Sequence, residues 1–352
     1  MSYSKTAEIN LAIKNDINNV CMSAITSNYY YIVTQVGNLH KINLSSFTVE
    51  DTLNLAEADL DNNTLRLSLS PDSSFLIVAY GSKFKGYLIK VDLTTFSVTY
   101  TYSDYSIRYL RSAIIGHGNY TYISGTTYSP TLNKTYRFLN SDMSYVDAIS
   151  NPGNGWMDNF TRGASPYIYG YYSGGGPPTY PPPYYRIYRL NESSFSYDLY
   201  SAELPVYLYE VDMAVNSENN YLYGAGQDTT EWDHPAIFKI TLPDLSSFSY
   251  KIFTEFAGKS FNGCTLSSSK LFCWSYSYPY SLYILNIDTF AIEQEIENAQ
   301  ILEGRIQESN QCFLGLKWLV DVPGMQTAVK YCGAELPISS ILFLDEEPII
   351  LI

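Results

Sequence analysis

The side chains that could do chemistry in this sequence are few and dispersed. Its three histidines, His40, His117 and His234, stand far apart and at different positions of the repeat described below. Metal binding and acid–base catalysis need such groups within a few ångströms of one another. This spacing points to three turn or surface histidines instead of a metal site or a catalytic triad. No Gly-x-Ser-x-Gly elbow, no phosphate-binding loop ending in Gly-Lys-Ser/Thr, no His-Glu-x-x-His and no Cys-x-x-Cys occurs. One constellation remains. At a nearly constant spacing before a recurrent Tyr-rich strand stand Cys21, Arg66, Arg111, Asp158, Asp212, Asn262 and Glu303, with Arg305 two residues further on. Equivalent positions on the innermost strands of a closed ring would line its axis. Arg66 and Arg111 would then face Asp158, Asp212 and Glu303 across a channel of mixed charge. Such a ring could orient a polar ligand or chelate a cation through its carboxylates. The plainer reading is a hydrated channel whose charges compensate one another. No cofactor and no metal are expected, and no residue is assigned a catalytic role.

The elements that must position these residues come from a unit that recurs about seven times, with a period of roughly 45–50 residues. Each copy is a polar strand, a tight polar turn, a Tyr-rich strand, a variable hairpin, and a strand ending in a Leu-Ser/Thr-Ser/Thr-Phe corner. Ser68–Tyr80 followed by Tyr87–Val98 is the clearest copy. The second strands read Tyr29–Val33, Phe75–Ala79, Tyr120–Ser124, Tyr167–Gly170, Tyr221–Gly224, Leu271–Trp274 and Cys312–Gly315. Short aromatic and β-branched runs bounded by Ser, Asn, Asp and Gly are strand signals. The third strands end in corners at Phe47, Phe96, Met143, Phe195, Phe248 and Phe290, each expected to plug the gap between two blades. The fold class is therefore all-β: a seven-bladed β-propeller of four-stranded antiparallel blades. The blades fall near 15–58, 59–104, 105–151, 152–204, 205–257, 258–300 and 301–352 of a single domain, 1–352. Residues 5–14 supply a strand that closes the last blade. In that blade Thr327–Tyr331 reads as the third strand and Ile338–Leu344 as the fourth.

Composition restricts the partners. Charged residues make up 16% of the chain, the net charge is −14, and there are 35 tyrosines. Nucleic acids and anionic membranes are disfavoured, because they need clustered Lys and Arg. No window is long and apolar enough for a membrane helix, so membrane insertion is not expected. Five cysteines, Cys21, Cys264, Cys273, Cys312 and Cys332, are too few for a disulfide framework. They read first as buried small hydrophobes, with bridges Cys264–Cys273 and Cys312–Cys332 left open. The N-terminus carries no signal-peptide core, which read as given implies a cytoplasmic protein. Six glycosylation sequons, at Asn43, Asn62, Asn119, Asn133, Asn159 and Asn191, keep a secreted or cell-surface location in view as the alternative.

The largest departures from the repeat are aromatic insertions at one equivalent hairpin. In blade four, Tyr171–Tyr185 carries Tyr171, Tyr172, Pro177, Pro178, Tyr180, Pro181, Tyr184 and Tyr185 around three glycines. Proline stiffens such a loop toward polyproline II, and tyrosine gives amphipathic contact area at low entropic cost. Blade five places Trp232 in an acidic insertion, and blade six places Tyr278 and Tyr280 at the same hairpin. These loops suit a protein partner or self-association, and their rings could also stack on carbohydrate.

Ser70-Pro-Asp-Ser-Ser-Phe-Leu-Ile-Val-Ala79 with Val91-Asp-Leu-Thr-Thr-Phe96 resembles the repeat of YVTN-type, lactonase-like seven-bladed propellers. The other units keep that outline but lose Ser-Pro-Asp. The chain does not resemble a WD40 array, because Gly-His and Trp-Asp pairs do not recur and Gly116-His117 stands alone. The resemblance implies the fold over most of the chain. Its wider group includes sugar-lactone hydrolases, surface proteins and scaffolds. The functional expectation is a non-enzymatic binding or assembly propeller acting through its aromatic loops. A secreted glycoprotein of an extracellular structure and a lactonase-like hydrolase using the channel are the alternatives.

Overall fold

The computed structural model describes residues 3–12, 22–34, 37–55, 65–81, 85–127, 131–173, 185–207, 213–228, 234–275, 280–307, 312–318, 325–333, 341–344 and 347–350. Seven antiparallel sheets form the blades, and in the first six the strands run in sequence order from the inside outward. Blade one is Met22–Ile25, Tyr29–Val33, Asn38–Asn43 and Thr48–Asn54; blade two is Leu65–Leu69, Phe75–Gly81, Gly86–Asp92 and Ser97–Asp104. Blade three is Ile107–Ile115, Tyr120–Thr127, Asn133–Leu139 and Tyr145–Ser150; blade four is Trp156–Arg162, Tyr167–Ser173, Tyr185–Asn191 and Ser196–Tyr200. In blade five the inner strand is split into Val206–Tyr207 and Ala214–Val215, both paired with Tyr221–Asp228, and Pro235–Thr241 and Phe248–Ile252 follow. Blade six is Phe261–Leu266, Lys270–Ser275, Leu282–Asn286 and Ile292–Ile296. Successive inner strands touch, and those of blades seven and one also touch, so the ring is closed.

Blade seven closes that ring with the two ends of the propeller. Its first three strands are Ile301–Gln307, Cys312–Trp318 and Met325–Gly333, and its fourth is Tyr3–Ala12 from the N-terminus. The expected fourth strand at the C-terminal side is a correction: Ile341–Leu344 pairs with Glu347–Ile350 in a separate hairpin. The N-terminal segment has already taken the outer position, pairing from Tyr3 opposite Gly333 to Ala12 opposite Met325. Tyr3 also exchanges two bonds with Gln294 on the outer strand of blade six, 2.7 and 2.8 Å long. A disulfide joins Cys312 to Cys332, which face each other on neighbouring strands of blade seven.

The corners hold the blades together. Phe47, Phe96, Met143, Phe195, Leu245 and Phe290 all have positive φ, between 46° and 54°, and all are buried. This left-handed conformation costs an L-residue about 1–2 kcal/mol. Burying a Phe, Met or Leu side chain gains about 1.5–3 kcal/mol, enough to offset it. In four blades the turn is held from its start by a side-chain oxygen. Asp92 Oδ1 accepts the N–H groups of Thr94 and Thr95 at 2.9 and 2.8 Å. Asn43, Asn191 and Asn286 accept the matching pair in their own blades. Each plug joins the cluster of the preceding blade's second strand. Phe96 lies 6.3 Å from the ring of Tyr31, Phe195 lies 5.7 Å from Tyr122, and Phe290 lies 6.5 Å from Tyr223. Blade seven has no such corner, and Tyr3 packs edge-on against Phe272 of blade six at 5.2 Å. Blade five needs a correction: Leu245 is the plug, and Phe248 begins the outer strand at 37% exposure. The turn Leu242-Pro-Asp-Leu245 already completes the corner, and the Ser-Ser-Phe after it only imitates one.

Two outcomes follow. Phe96→Ala should destabilise the protein by about 3–5 kcal/mol, as for other buried Phe→Ala changes, whereas Phe248→Ala should cost under about 1 kcal/mol. Urea unfolding midpoints separate the two, and equal losses would contradict the plug assignment. Turn carboxylates also make stability fall in acid. The amide of Thr95 and the hydroxyls of Ser144 and Ser246 hold Asp92, Asp142 and Asp244 below the usual aspartate value of 3.8. A depressed folded-state value contributes stability that is complete above the unfolded value and is lost as pH falls through the folded one. The triple Asn variant at these positions should therefore lose less stability than wild type between pH 4 and pH 2. Parallel unfolding curves over that range would contradict the assignment.

Candidate functional site

Two places offer chemistry or contact: the axis of the ring and the hairpins at its rim. On the axis, residues from all seven blades line a cavity of about 230 Å³. Arg66 and Arg305 line it, together with Ser68, Ser112, Thr161 and Thr265. Arg111, Asp158 and Asn262 do not. Arg111 lays its guanidinium 4.2 Å over the Trp156 ring, and Asp158 accepts a 2.9 Å bond from the Ser173 hydroxyl. Bulges in the inner strands account for the difference. The register shifts between Arg108 and Ser112, and again between Asp158 and Thr161. An extra residue there re-aims the strand, so Ser112 and Thr161 reach the axis where constant spacing would put Arg111 and Asp158. Cys21, Asp212 and the Glu303 side chain lie outside the described residues. Among those described, no three His, Cys, Asp or Glu side chains are grouped to hold a metal.

Several axial side chains tie one blade to the next. Arg66 Nε donates to the Arg111 carbonyl at 2.9 Å, and Arg305 Nε donates to the Ser23 carbonyl at 3.1 Å. The amides of Ile115 and Phe160 donate to the hydroxyl oxygens of Ser68 and Ser112 at 2.9 and 2.6 Å. Each is a polar bond across a blade boundary where a purely apolar contact would leave a backbone group unsatisfied. Cys264 and Cys273 face each other on neighbouring strands of blade six as buried thiols, and burial pushes Cys273 well above the usual thiol value. The histidine reading needs correcting. His40 and His234 are buried, and burial lowers His40. His117 is clamped between blades: its Nδ1 faces Glu192 Oε2 at 2.5 Å and its Nε2 faces the Gly163 carbonyl at 2.8 Å.

At the rim, the variable hairpins connect the second and third strands. Antiparallel alternation puts them at the end of the ring opposite the corners. Tyr171, Tyr172 and Tyr185 are not contact residues of the blade-four loop, which corrects the expectation. All three are buried at the roots of the hairpin, with Tyr171 stacked on Tyr185 at 6.0 Å. Alternation along a strand buried on both faces puts both rings into the inter-blade core. Tyr280 is half-buried, and its carbonyl accepts the Gln300 amide. Pro177, Pro178, Tyr180, Pro181, Tyr184, Trp232 and Tyr278 lie outside the described residues. Among the sequons, Asn119 is exposed, Asn43 and Asn191 are half-buried corner residues, and Asn133 and Asn159 are buried. Asn62 lies outside the described residues.

Sequence reasoning missed one set, the cations six residues before the plugs of blades one to five. Lys41, Lys90, Arg137, Arg189 and Lys239 reach from the third strand to the corner of the following blade. Lys41 sits 4.1 Å over Tyr29 and 5.8 Å from Phe96, and Arg137 sits 4.4 Å over Phe195. Lys90 bonds the Asn140 carbonyl, and Arg189 bonds the Pro243 carbonyl at 2.8 Å. Lys239 pairs with Asp288 at 3.5 Å, and Lys330 of blade seven bonds the Leu44 carbonyl at 3.0 Å. The signal was present as a basic residue at one fixed offset from the corner in five blades.

Solved structures share this architecture. The β-propeller domain of Cps50 (Swd1) from Myceliophteria thermophila superposes with a TM-score of 0.65 at 10% identity, covering 91% of this chain and 99% of that one. The RRP9 WD40 repeats give 0.65 at 8% identity over 92% and 97%. Hydrazine synthase of Kuenenia stuttgartiensis gives 0.69 at 8% identity over 84% and 92%. No family model matches the sequence, and no curated protein matches it. At these identities the likeness establishes the propeller fold alone.

The buried sequons carry an expected outcome. In protein purified from a glycosylating host, peptide mapping should find Asn133 and Asn159 without sugar. Asn133 accepts from Thr126 at 2.7 Å and donates to the Asn154 carbonyl at 2.7 Å, so a glycan there is incompatible with these bonds. Sugar on either residue in the folded fraction would contradict the burial.

Proposed function

We propose that this propeller is a non-enzymatic scaffold that engages a protein partner, or a second copy of itself, through the hairpin tips of blades four to six. The observation that carries this reading is where those hairpins arise. Ser173 pairs with Tyr185, Gln227 with Pro235 and Trp274 with Leu282, so three adjacent insertions spring from rigid paired strands at one end of the ring. A rigid base lowers the ordering cost of a contact loop. The Gly-, Pro- and Tyr-rich sequence of 171–185 supplies aromatic contact area. A net charge of −14 favours a partner with a basic face.

One feature favours binding over catalysis: the described axial side chains that carry inter-blade bonds brace the ring. The YVTN-like second unit fits a binding propeller as well as it fits a hydrolase, since one fold serves both. Replacing residues 174–183 with a short Gly-Ser link should leave the urea midpoint unchanged, because Ser173 and Tyr185 already face each other. The same change should abolish self-association in sedimentation velocity. Wild-type protein that stays monomeric up to millimolar concentration would contradict self-assembly, and association that survives the replacement would contradict the loop assignment.

A further inference from the structure

Arg66 is a charged side chain in an unusual setting. Its residue is 7% exposed, and it lines the axial cavity. Its hydrogen bonds go to two carbonyl oxygens, of Arg111 at 2.9 Å and of Leu65 at 2.9 Å. It has no carboxylate partner among the described residues. A guanidinium presents five N–H donors and stays charged throughout the physiological range. Two carbonyls use only part of that set, and neither supplies a countercharge. Buried charges are ordinarily paired.

The surroundings of Arg66 present donors. Arg305 lines the same cavity from blade seven. The hydroxyl oxygens of Ser68 and Ser112 each accept a backbone N–H, which leaves their own protons for a further acceptor. Thr161 and Thr265 add hydroxyls to the wall. No Asp or Glu belongs to the lining among the described residues. Planar guanidinium groups suit tetrahedral oxyanions because two N–H groups can bond two oxygens at once. In a chain of net charge −14, the overall field repels anions. Anion binding here would therefore have to come from this local donor set.

We infer that the axial cavity is a binding site for a small oxyanion, with Arg66 as its anchor and Arg305, Ser68 and Ser112 as further donors. The shared chemistry is a phosphate- or sulfate-type group, either as the free ion or as the head of a small molecule. This site is separate from the rim hairpins and does not depend on the scaffold reading.

Isothermal titration at fixed ionic strength tests it with three probes: inorganic phosphate, sulfate and glycerol 3-phosphate. One saturable site per chain is expected. Tighter binding of glycerol 3-phosphate identifies the head of a larger molecule, and tighter binding of phosphate identifies the free ion. Folded Arg66→Gln should bind at least about tenfold more weakly, as expected for loss of a charge-assisted bond. Absence of saturable binding by wild type to all three probes would overturn the inference, as would unchanged affinity in Arg66→Gln. Since Arg66 also braces blades two and three, that variant could fail to fold. Selenate anomalous scattering from wild-type crystals then decides. A peak beside the Arg66 guanidinium supports the site, and selenate bound only elsewhere overturns it.

Discussion

The structure depends on one constraint, the left-handed corner residue that each of six blades inserts into the blade before it. An aromatic or aliphatic side chain in that conformation is unfavourable by itself. It persists because the neighbouring sheet buries it and, in blades one, two, four and six, because an Asn or Asp at the turn's start organises the backbone. A turn built this way has little reason to form in an isolated blade. Its cost is offset only when the next sheet is in place, which couples each blade to its neighbour. A basic residue on the third strand of the preceding blade lies over that plug or grips a carbonyl of its corner. Plug and cation point in opposite directions around the ring, so every such boundary is held from both sides.

That coupling leaves the ring with two ends of different character. Corners and cations occupy one end, and their side chains are committed to holding blades together. The hairpins between second and third strands occupy the other, where nothing in the ring requires a particular length or composition. Insertions are tolerated there, and aromatic residues accumulate there in three adjacent blades. The axis lies between these regimes. Its arginines and serines tie inner strands together while lining the cavity.

The repeat was legible because it is written in periodic residues. Tyr-rich second strands, Asn/Asp turns and Phe corners all follow from local pattern, and so does the N-terminal strand that completes blade seven. Other features were not legible. Spacing alone cannot reveal an inner-strand bulge, so it points Arg111 and Asp158 at the axis that Ser112 and Thr161 reach. Aromatic content cannot tell a hairpin tip from its root, so it marks Tyr171 and Tyr185 as contact residues although they are core. A Ser-Ser-Phe run just past the corner makes Phe248 look like the plug that Leu245 is. In each case a one-residue or few-residue offset changes which side a side chain faces, because strand side chains alternate.

Native-state hydrogen exchange, resolved to the second strand of each blade, tests the central claim that the plugs couple the seven blades into one ring. With plugs at six boundaries and the N-terminal strand at the seventh, the slowest amides of all seven second strands should exchange through a single opening with one free energy. They should also show the same denaturant dependence. Blades that open one after another with graded free energies, as in an open array of repeats, would contradict it.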